Sequence, residues 1–203
     1  SDVLNGNRGV DERVRNLVEQ TAKCYDTTLV EQKSDGPTDE GSVSYEIVRF
    51  PLRTPVHLAD LNISQYSALR DVIPETQPDL IQVEGCGGVT GAAIVSRLLG
   101  HNCPLVYDAH NVEAVRARQQ GNPDVSRIKR FAAPHVIPRV EAAAVRAADY
   151  VFTVSDDDRQ VFKDKYDVSS SSTAVVPSGG RKVNLESLTD PEIVRSRYGL
   201  SSN

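Results

Sequence analysis

The sequence lacks features that several protein classes require. It has no tryptophan, three cysteines at unrelated spacings, and no apolar run longer than five residues. The cysteines form neither a C-x-x-C pair nor a Cys/His cluster, which excludes a zinc domain and a disulfide scaffold. The short apolar runs exclude a membrane-spanning helix, which needs about 20 consecutive apolar residues. What remains is a globular chain of 203 residues, long enough to fold around its own core.

Positive charge is scarce overall but concentrated in one place. The net charge is −5, which argues against a general nucleic-acid binder because such domains are normally basic. Between residues 116 and 146, however, seven Arg or Lys residues stand against two acidic ones, so this basic window carries +5 and the rest of the chain −10. Such a window indicates an anionic ligand or surface, with a solvated helix face as the alternative.

Helical and strand patterns alternate along the chain. The clearest unit is a strand over 80–84, a glycine turn, a helix over 89–99 and a strand over 105–107, which together form a βαβ motif. Helices are also predicted over 58–73, ending before Pro74, and over 140–148. Repeated alternation with apolar strands predicts an α/β fold, a Rossmann-like parallel sheet with helices on both faces.

Ligands bind such sheets at the carboxyl ends of the strands. One loop there, Gly85-Cys86-Gly87-Gly88, nearly matches the dinucleotide fingerprint, with Asp108 ending the next strand. The third glycine position, however, holds Thr90. A tight strand-to-helix turn is therefore the alternative interpretation of these glycines.

A second loop, Tyr107 to Glu113 (YDAHNVE), places four polar residues directly after a buried strand. His110 can donate a hydrogen bond to a sugar hydroxyl or a phosphoryl oxygen, and Asn111 can both donate and accept. The residues alone equally allow Asp108 and Asn111 to cap the next helix, with His110 at the surface.

The run Asp156-Asp157-Asp158 is interpreted as the first turn of a helix capped by Ser155, because carboxylates suit the positive end of a helix. No metal site is predicted.

Four segments, taken in chain order, resemble the N-terminal domain of glycosyltransferase family 4, whose members are retaining enzymes of the GT-B fold. They are residues 7–14 (NRGVDERV), 107–113 (YDAHNVE), Glu141 with 148–155 (ADYVFTVS), and 175–179 (VVPSG). The resemblance implies the acceptor-side half of an enzyme whose two Rossmann-like domains face each other across a cleft.

This resemblance also implies the domain organisation and the reaction. Residues 1–182 would form the acceptor-binding domain, and residues 183–203 a linker toward an absent C-terminal domain that binds the donor. The complete enzyme would be a hexosyltransferase that moves a sugar from an NDP-sugar, its co-substrate, to a glycan, lipid-linked or small-molecule acceptor. It would have no tightly bound cofactor, no metal-binding D-x-D motif and no nucleic-acid partner, and the fragment alone would be almost inactive.

The resemblance assigns site residues as well. His110 would be catalytic, contacting the transferred sugar or its phosphate. The residues that would contact donor or acceptor are Gly6, Gly9, Glu84, Gly87, Gly88, Asn111, Glu113, Ser155, Ser178 and Gly179. Two positions depart from the family pattern: Gly6 and Gly9 replace paired glycines in the first loop, and Ser178 replaces the usual Asn.

The basic window falls where several family members present a basic amphipathic region to membranes. The resemblance therefore implies a cytoplasmic protein that touches the anionic inner face of the membrane through Arg116, Arg118, Arg127, Lys129 and Arg130. Two other interpretations stay open. One is a dinucleotide-binding oxidoreductase domain built on residues 85–108, and the other is a stand-alone sugar- or phosphate-binding module complete within the 203 residues.

Overall fold

The computed structural model describes residues 9–33, 43–51, 62–119 and 127–178. Helices and strands largely alternate through these residues, with one pair of consecutive strands and one pair of consecutive helices. The helices are α1 (Gly9–Thr21), α2 (Ile63–Thr76), α3 (Val89–Leu98), α4 (Glu113–Gln119), α5 (Arg127–Ala147) and α6 (Asp156–Tyr166). The strands are β1 (Thr28–Lys33), β2 (Glu46–Pro51), β3 (Ile81–Glu84), β4 (Leu105–Ala109), β5 (Tyr150–Thr153) and β6 (Thr173–Val175).

The strands pair in parallel, in two sheets. β1 and β2 form one, and β3, β4, β5 and β6 form the other in that order. Because the four strands of the larger sheet run parallel, all their carboxyl ends lie at the same edge, and β3, β4 and β5 are each followed along the chain by a helix. This arrangement confirms the predicted α/β fold with parallel strands and flanking helices.

The main core lies between the larger sheet and the helices packed on it. β4 is buried along its whole length, as expected for an inner strand covered on both faces. Beside it, the ring of Tyr107 meets the ring of Phe162 edge-on, with centroids 5.9 Å apart and both side chains fully buried. The carboxyl end of β4 is thus anchored by well-packed residues.

Two predicted helix boundaries are wrong, and both errors involve proline. α2 runs past Pro74 to Thr76, where Gln77 ends it in the left-handed conformation. α5 begins at Arg127 rather than at residue 140 and contains Pro134 and Pro138. Prolines four residues apart lie on the same face of a helix, so the backbone bonds that they remove are confined to that face. The helix therefore continues through both.

Candidate functional site

Two carboxylates meet at the carboxyl ends of β3 and β4. Glu84 and Asp108 are register partners in these parallel strands, so their side chains lie next to each other on one face of the sheet. The side chain of Asp108 is fully buried, and that of Glu84 is 20% exposed. Two negative charges side by side in a largely buried place require compensation from neighbouring groups.

Arg13 of α1 compensates the charge of Asp108. Its Nη2 atom lies 2.9 Å from both carboxylate oxygens, and its side chain is itself only 9% exposed. Gln82 faces the same side of β3 as Glu84 and connects the two acids. Its Nε2 donates to Glu84 Oε1 at 2.7 Å and to Asp108 Oδ2 at 3.1 Å. Asp108 therefore lies in a buried ion pair with Arg13.

His110 lies against the second acid. Its Nε2 is 3.2 Å from Glu84 Oε2, and the imidazole is 9% exposed. Burial, followed by the nearby charge of Asp108, raises the pKa of Glu84 from 4.5 to about 7, although the hydrogen bond from Gln82 and the charge of Arg13 oppose the rise. A proton can therefore reside between Glu84 and His110 close to neutral pH.

The three side chains Glu84, Asp108 and His110 place their ligand atoms within 4.8 Å of one another, which is compatible with a metal ion. The guanidinium of Arg13, however, already contacts both oxygens of Asp108. A divalent cation there would have to displace this buried ion pair. The guanidinium of Arg13 already supplies the positive charge that a metal ion would bring to this cluster.

Arg13 also brings the segment after β6 to the cluster. Its Nη1 donates to the carbonyl of Val176 at 3.2 Å and to Ser178 Oγ at 3.1 Å. Ser178 therefore contacts Arg13 directly, whereas Glu84 is joined to Asp108 through Gln82 and His110 lies against Glu84. Arg13 was not among the predicted site residues. A signal was present, because an aspartate at the end of a fully apolar strand requires a cationic or hydrogen-bonding partner.

The helix after His110 is capped by a distant residue. Glu141 of α5 is fully buried, and its carboxylate accepts from the backbone N–H groups of Glu113 at 2.6 Å and Ala114 at 3.1 Å. Tyr166 of α6 donates its hydroxyl to the same carboxylate at 2.5 Å. The interpretation in which Asp108 caps this helix is therefore wrong, since Asp108 is held within the sheet by Arg13.

Burial raises the pKa of Glu141, while the hydrogen bonds from Tyr166 and the two N–H groups lower it. A carboxylate at the N-terminus of α4 also suits the positive end of that helix. Glu141 thus fixes where α4 begins, three residues after His110.

The glycine turn between β3 and α3 has a conformational basis. Gly85 and Gly88 adopt positive φ angles of 80° and 103°, a region that favours glycine. A Cβ at Gly88 would lie 2.6 Å from Nε2 of Gln65, so α2 packs directly against this turn. The tight-turn interpretation therefore accounts for Gly88, and Gly87 lies half-buried beside it.

The remaining predicted residues have the following places. Ser155 is the N-cap of α6, where its Oγ accepts from the N–H of Asp158 at 3.1 Å, and this confirms its predicted capping role. Asn111 is half-buried beside His110, and Gly9 begins α1. Gly6 and Gly179 lie outside the described residues.

The basic window lies on α4 and α5. The Arg116 side chain is 49% exposed and pairs with Glu113 at 3.4 Å, and Arg139 and Arg146 line a shallow groove along α5. The side chains of Arg118, Arg127, Lys129 and Arg130 are not among those described. Across the described ranges, every helix is too short or too polar to cross a bilayer.

Comparisons with known proteins agree with this architecture. A family model described as Glycosyltransferase Family 4 matches residues 7–179. Sucrose-phosphate synthase from Thermosynechococcus elongatus has a similar structure, with a TM-score of 0.61, 16% sequence identity, and coverage of 94% of this chain and 47% of that one. This chain thus spans about half the length of that enzyme. No match is found among curated proteins.

Proposed function

Because the chain belongs to glycosyltransferase family 4, we propose that it forms the acceptor-side domain of a retaining GT-B enzyme that transfers a sugar from an NDP-sugar to an acceptor. The observation that carries this proposal is the family match over residues 7–179, which includes every strand end of the larger sheet. A second domain across the cleft would bind the nucleotide. The acceptor would lie against the domain described here.

The proposed catalytic residue is His110. It sits beyond the carboxyl end of β4, at the edge where α/β sheets bind their ligands, and Glu84 holds its Nε2 atom. An imidazole that carries a proton can stabilise negative charge that develops on a departing diphosphate. In this proposal, the positive charge of His110 would lie near the sugar–phosphate bond that breaks.

The same edge offers further groups to the donor and acceptor. Gly87, Gly88, Asn111, Glu113 and Ser155 all follow strands of the larger sheet, and Ser178 follows β6. Backbone N–H groups and hydroxyls of this kind suit the phosphates and hydroxyls of a sugar nucleotide and its acceptor. The loops between the strands and helices would decide which acceptor is taken.

The gene product that contains this chain provides the test. It is incubated with UDP-, GDP- and ADP-linked hexoses and a panel of glycan, lipid-linked and small-molecule acceptors, and nucleotide release and product configuration are measured. We expect release that depends on the acceptor, with the anomeric configuration of the donor preserved in the product. Inversion would contradict the retaining mode. Tight nicotinamide binding without sugar transfer would favour the oxidoreductase interpretation.

We further propose that the basic window touches an anionic lipid surface. Arg116 and Arg139 are exposed, and the nearby apolar side chains Val115 and Val136 are each 38% exposed, a combination suited to a membrane interface. Each basic residue near an anionic membrane contributes about 1 kcal/mol of attraction. The five basic residues predicted to contact the membrane would together hold the protein at its surface.

Replacing Arg116, Arg118 and Arg130 with Glu should abolish binding to vesicles that contain phosphatidylserine. In the unaltered protein, binding should weaken as salt concentration rises, because the attraction is screened. A matched control replaces Lys23, Arg70 and Arg97, exposed basic residues outside the window, with Glu. Equal loss of binding in both triple variants, or binding that is insensitive to salt in cosedimentation, would contradict this proposal.

A further inference from the structure

Glu84 and His110 are a pair whose charge is not balanced by the rest of the cluster. Arg13 lies against Asp108, with Nη2 at 2.9 Å from both oxygens, so its positive charge offsets that carboxylate. Glu84 receives a hydrogen bond from the neutral amide of Gln82 at 2.7 Å. Its other oxygen, Oε2, faces Nε2 of His110.

The charges of Arg13, Glu84, Asp108 and His110 favour one additional proton in the cluster. With both carboxylates ionised, Arg13 charged and His110 neutral, the cluster carries −1 in a largely buried place. One added proton brings the sum to zero, and burial disfavours net charge. Among the residues that the structure describes, the groups that face Glu84 are Gln82 on β3, Asp108 and His110 from β4 and its following loop, and Arg13 from α1. Among these, His110 is the group that can share this proton with Glu84.

We propose that Glu84 is a positioning residue that keeps one proton in its contact with His110, so that the imidazole meets an anionic ligand in its charged form. This inference rests on the proposed role of His110. When a phosphate approaches the imidazole, its negative charge draws the proton onto Nε2 and leaves Glu84 as the carboxylate. The O–H bond of Glu84 breaks and an N–H bond forms on Nε2 of His110, so the pair as a whole neither gains nor loses a proton in this shift.

The energetics of Glu84 fit this arrangement. Burial and the Asp108 charge raise its pKa from 4.5 to about 7. A carboxyl group alone in that environment would stay neutral up to that pH, whereas an imidazole next to it can take the proton and make an ion pair. The proton is thereby retained over the neutral range, where a free histidine with a pKa of about 6.5 would lose it.

The first experiment measures the proton directly in the 203-residue chain. With histidine and glutamate labelled by carbon-13 and nitrogen-15, four histidines are followed from pH 5 to 9, and a His110→Gln variant assigns the signal. In the unaltered chain we expect the Glu84–His110 pair to keep one proton past pH 7, so that the Glu84 carboxyl and the His110 ring titrate together near or above that pH. In Glu84→Gln, which keeps the side-chain size, the titration midpoint of the His110 ring should fall by at least one pH unit.

Two controls make the result decisive. Glu75→Gln removes an exposed carboxylate at the end of α2 and should leave the His110 midpoint unchanged. If Glu84→Gln fails to fold, the carboxyl carbon of Glu84 in the unaltered chain still gives the answer. Deprotonation of Glu84 near pH 4.5 together with an ordinary His110 midpoint near 6.5 would overturn the proposal. A Glu84 carboxyl and His110 ring that titrate together near or above pH 7 support it.

A kinetic experiment then connects the proton to turnover. In the gene product that contains this chain, Glu84→Gln should lower kcat roughly tenfold at pH 8, where its His110 has lost the proton, and much less at pH 6. An equal loss at both pH values would indicate a purely structural role for Glu84 and overturn the inference. Because the resonance measurement needs no substrate, a protein that transfers no sugar would refute the proposed function while leaving the shared proton intact.

Discussion

Replacing Glu141 with alanine should lower the free energy of unfolding by about 3–5 kcal/mol. The carboxylate of this fully buried residue accepts from two backbone N–H groups at the start of α4 and from the hydroxyl of Tyr166. Each donor left without a partner away from water costs about 1–3 kcal/mol. Tyr166 is half-buried and can turn toward solvent, so the largest part of the loss comes from the N–H groups of Glu113 and Ala114.

Urea unfolding followed by circular dichroism measures this effect. Glu75→Ala, which removes an exposed glutamate from the end of α2, serves as the matched control and should change the free energy by less than about 0.5 kcal/mol. Tyr166→Phe removes one of the three donors together with its need for a partner, so its loss should be smaller. A Glu141→Ala protein as stable as its control would show that water replaces the carboxylate as the cap of α4.

Replacing His110 with alanine should reduce turnover by about 100- to 1,000-fold in the gene product that contains this chain. The reason is electrostatic, because a preorganised charged donor in a largely buried site stabilises developing negative charge more strongly than water does. The imidazole is 9% exposed and held by Glu84, so it is already oriented before a ligand arrives. An interaction made mainly in the transition state lowers kcat and kcat/KM together.

Initial rates with the accepted donor and acceptor measure this loss, and circular dichroism verifies that the variant is folded. His135→Ala, an exposed histidine on α5, is the matched control and should keep full activity. Unchanged turnover in His110→Ala would shift the catalytic assignment from the loop after β4 to the glycine-containing loops.

The sequence predicted those parts of the molecule whose causes are local. The β3–turn–α3–β4 unit follows from apolar runs on both sides of a glycine turn, and the Ser155 cap from a serine before three acidic residues. The family resemblance assigned Glu84 and His110 as site residues, and ligands of such sheets bind at the carboxyl ends of the strands. The β3–turn–α3–β4 unit and the cap depend on residues within a few positions of one another, and periodicity and capping rules describe such ranges well.

The contacts that complete the site depend on distant residues. Arg13 and Asp108 are 95 positions apart, and Glu113 and Glu141 are separated by 28. Spacing along one chain contains no information about which arginine meets which aspartate. For this reason the sequence pattern alone was compatible with Asp108 as a helix cap. The continuous α5 was missed for a different reason, since its prolines suppress the helical prediction although their placement on one face lets the helix continue.

The contacts of Arg13 affect the order in which parts of the candidate site form during synthesis. The Arg13 side chain joins residues near the start of the chain to Val176 and Ser178, which lie 163 and 165 positions later. During synthesis, β3 and β4 can pair long before those residues have left the ribosome, but the arginine cannot complete its contacts until they emerge. Closing so long a loop is also the slowest kind of contact to form in a folding chain. These contacts of Arg13 therefore form late, and a nascent chain carries the two carboxylates of the candidate site before Arg13 has all its partners.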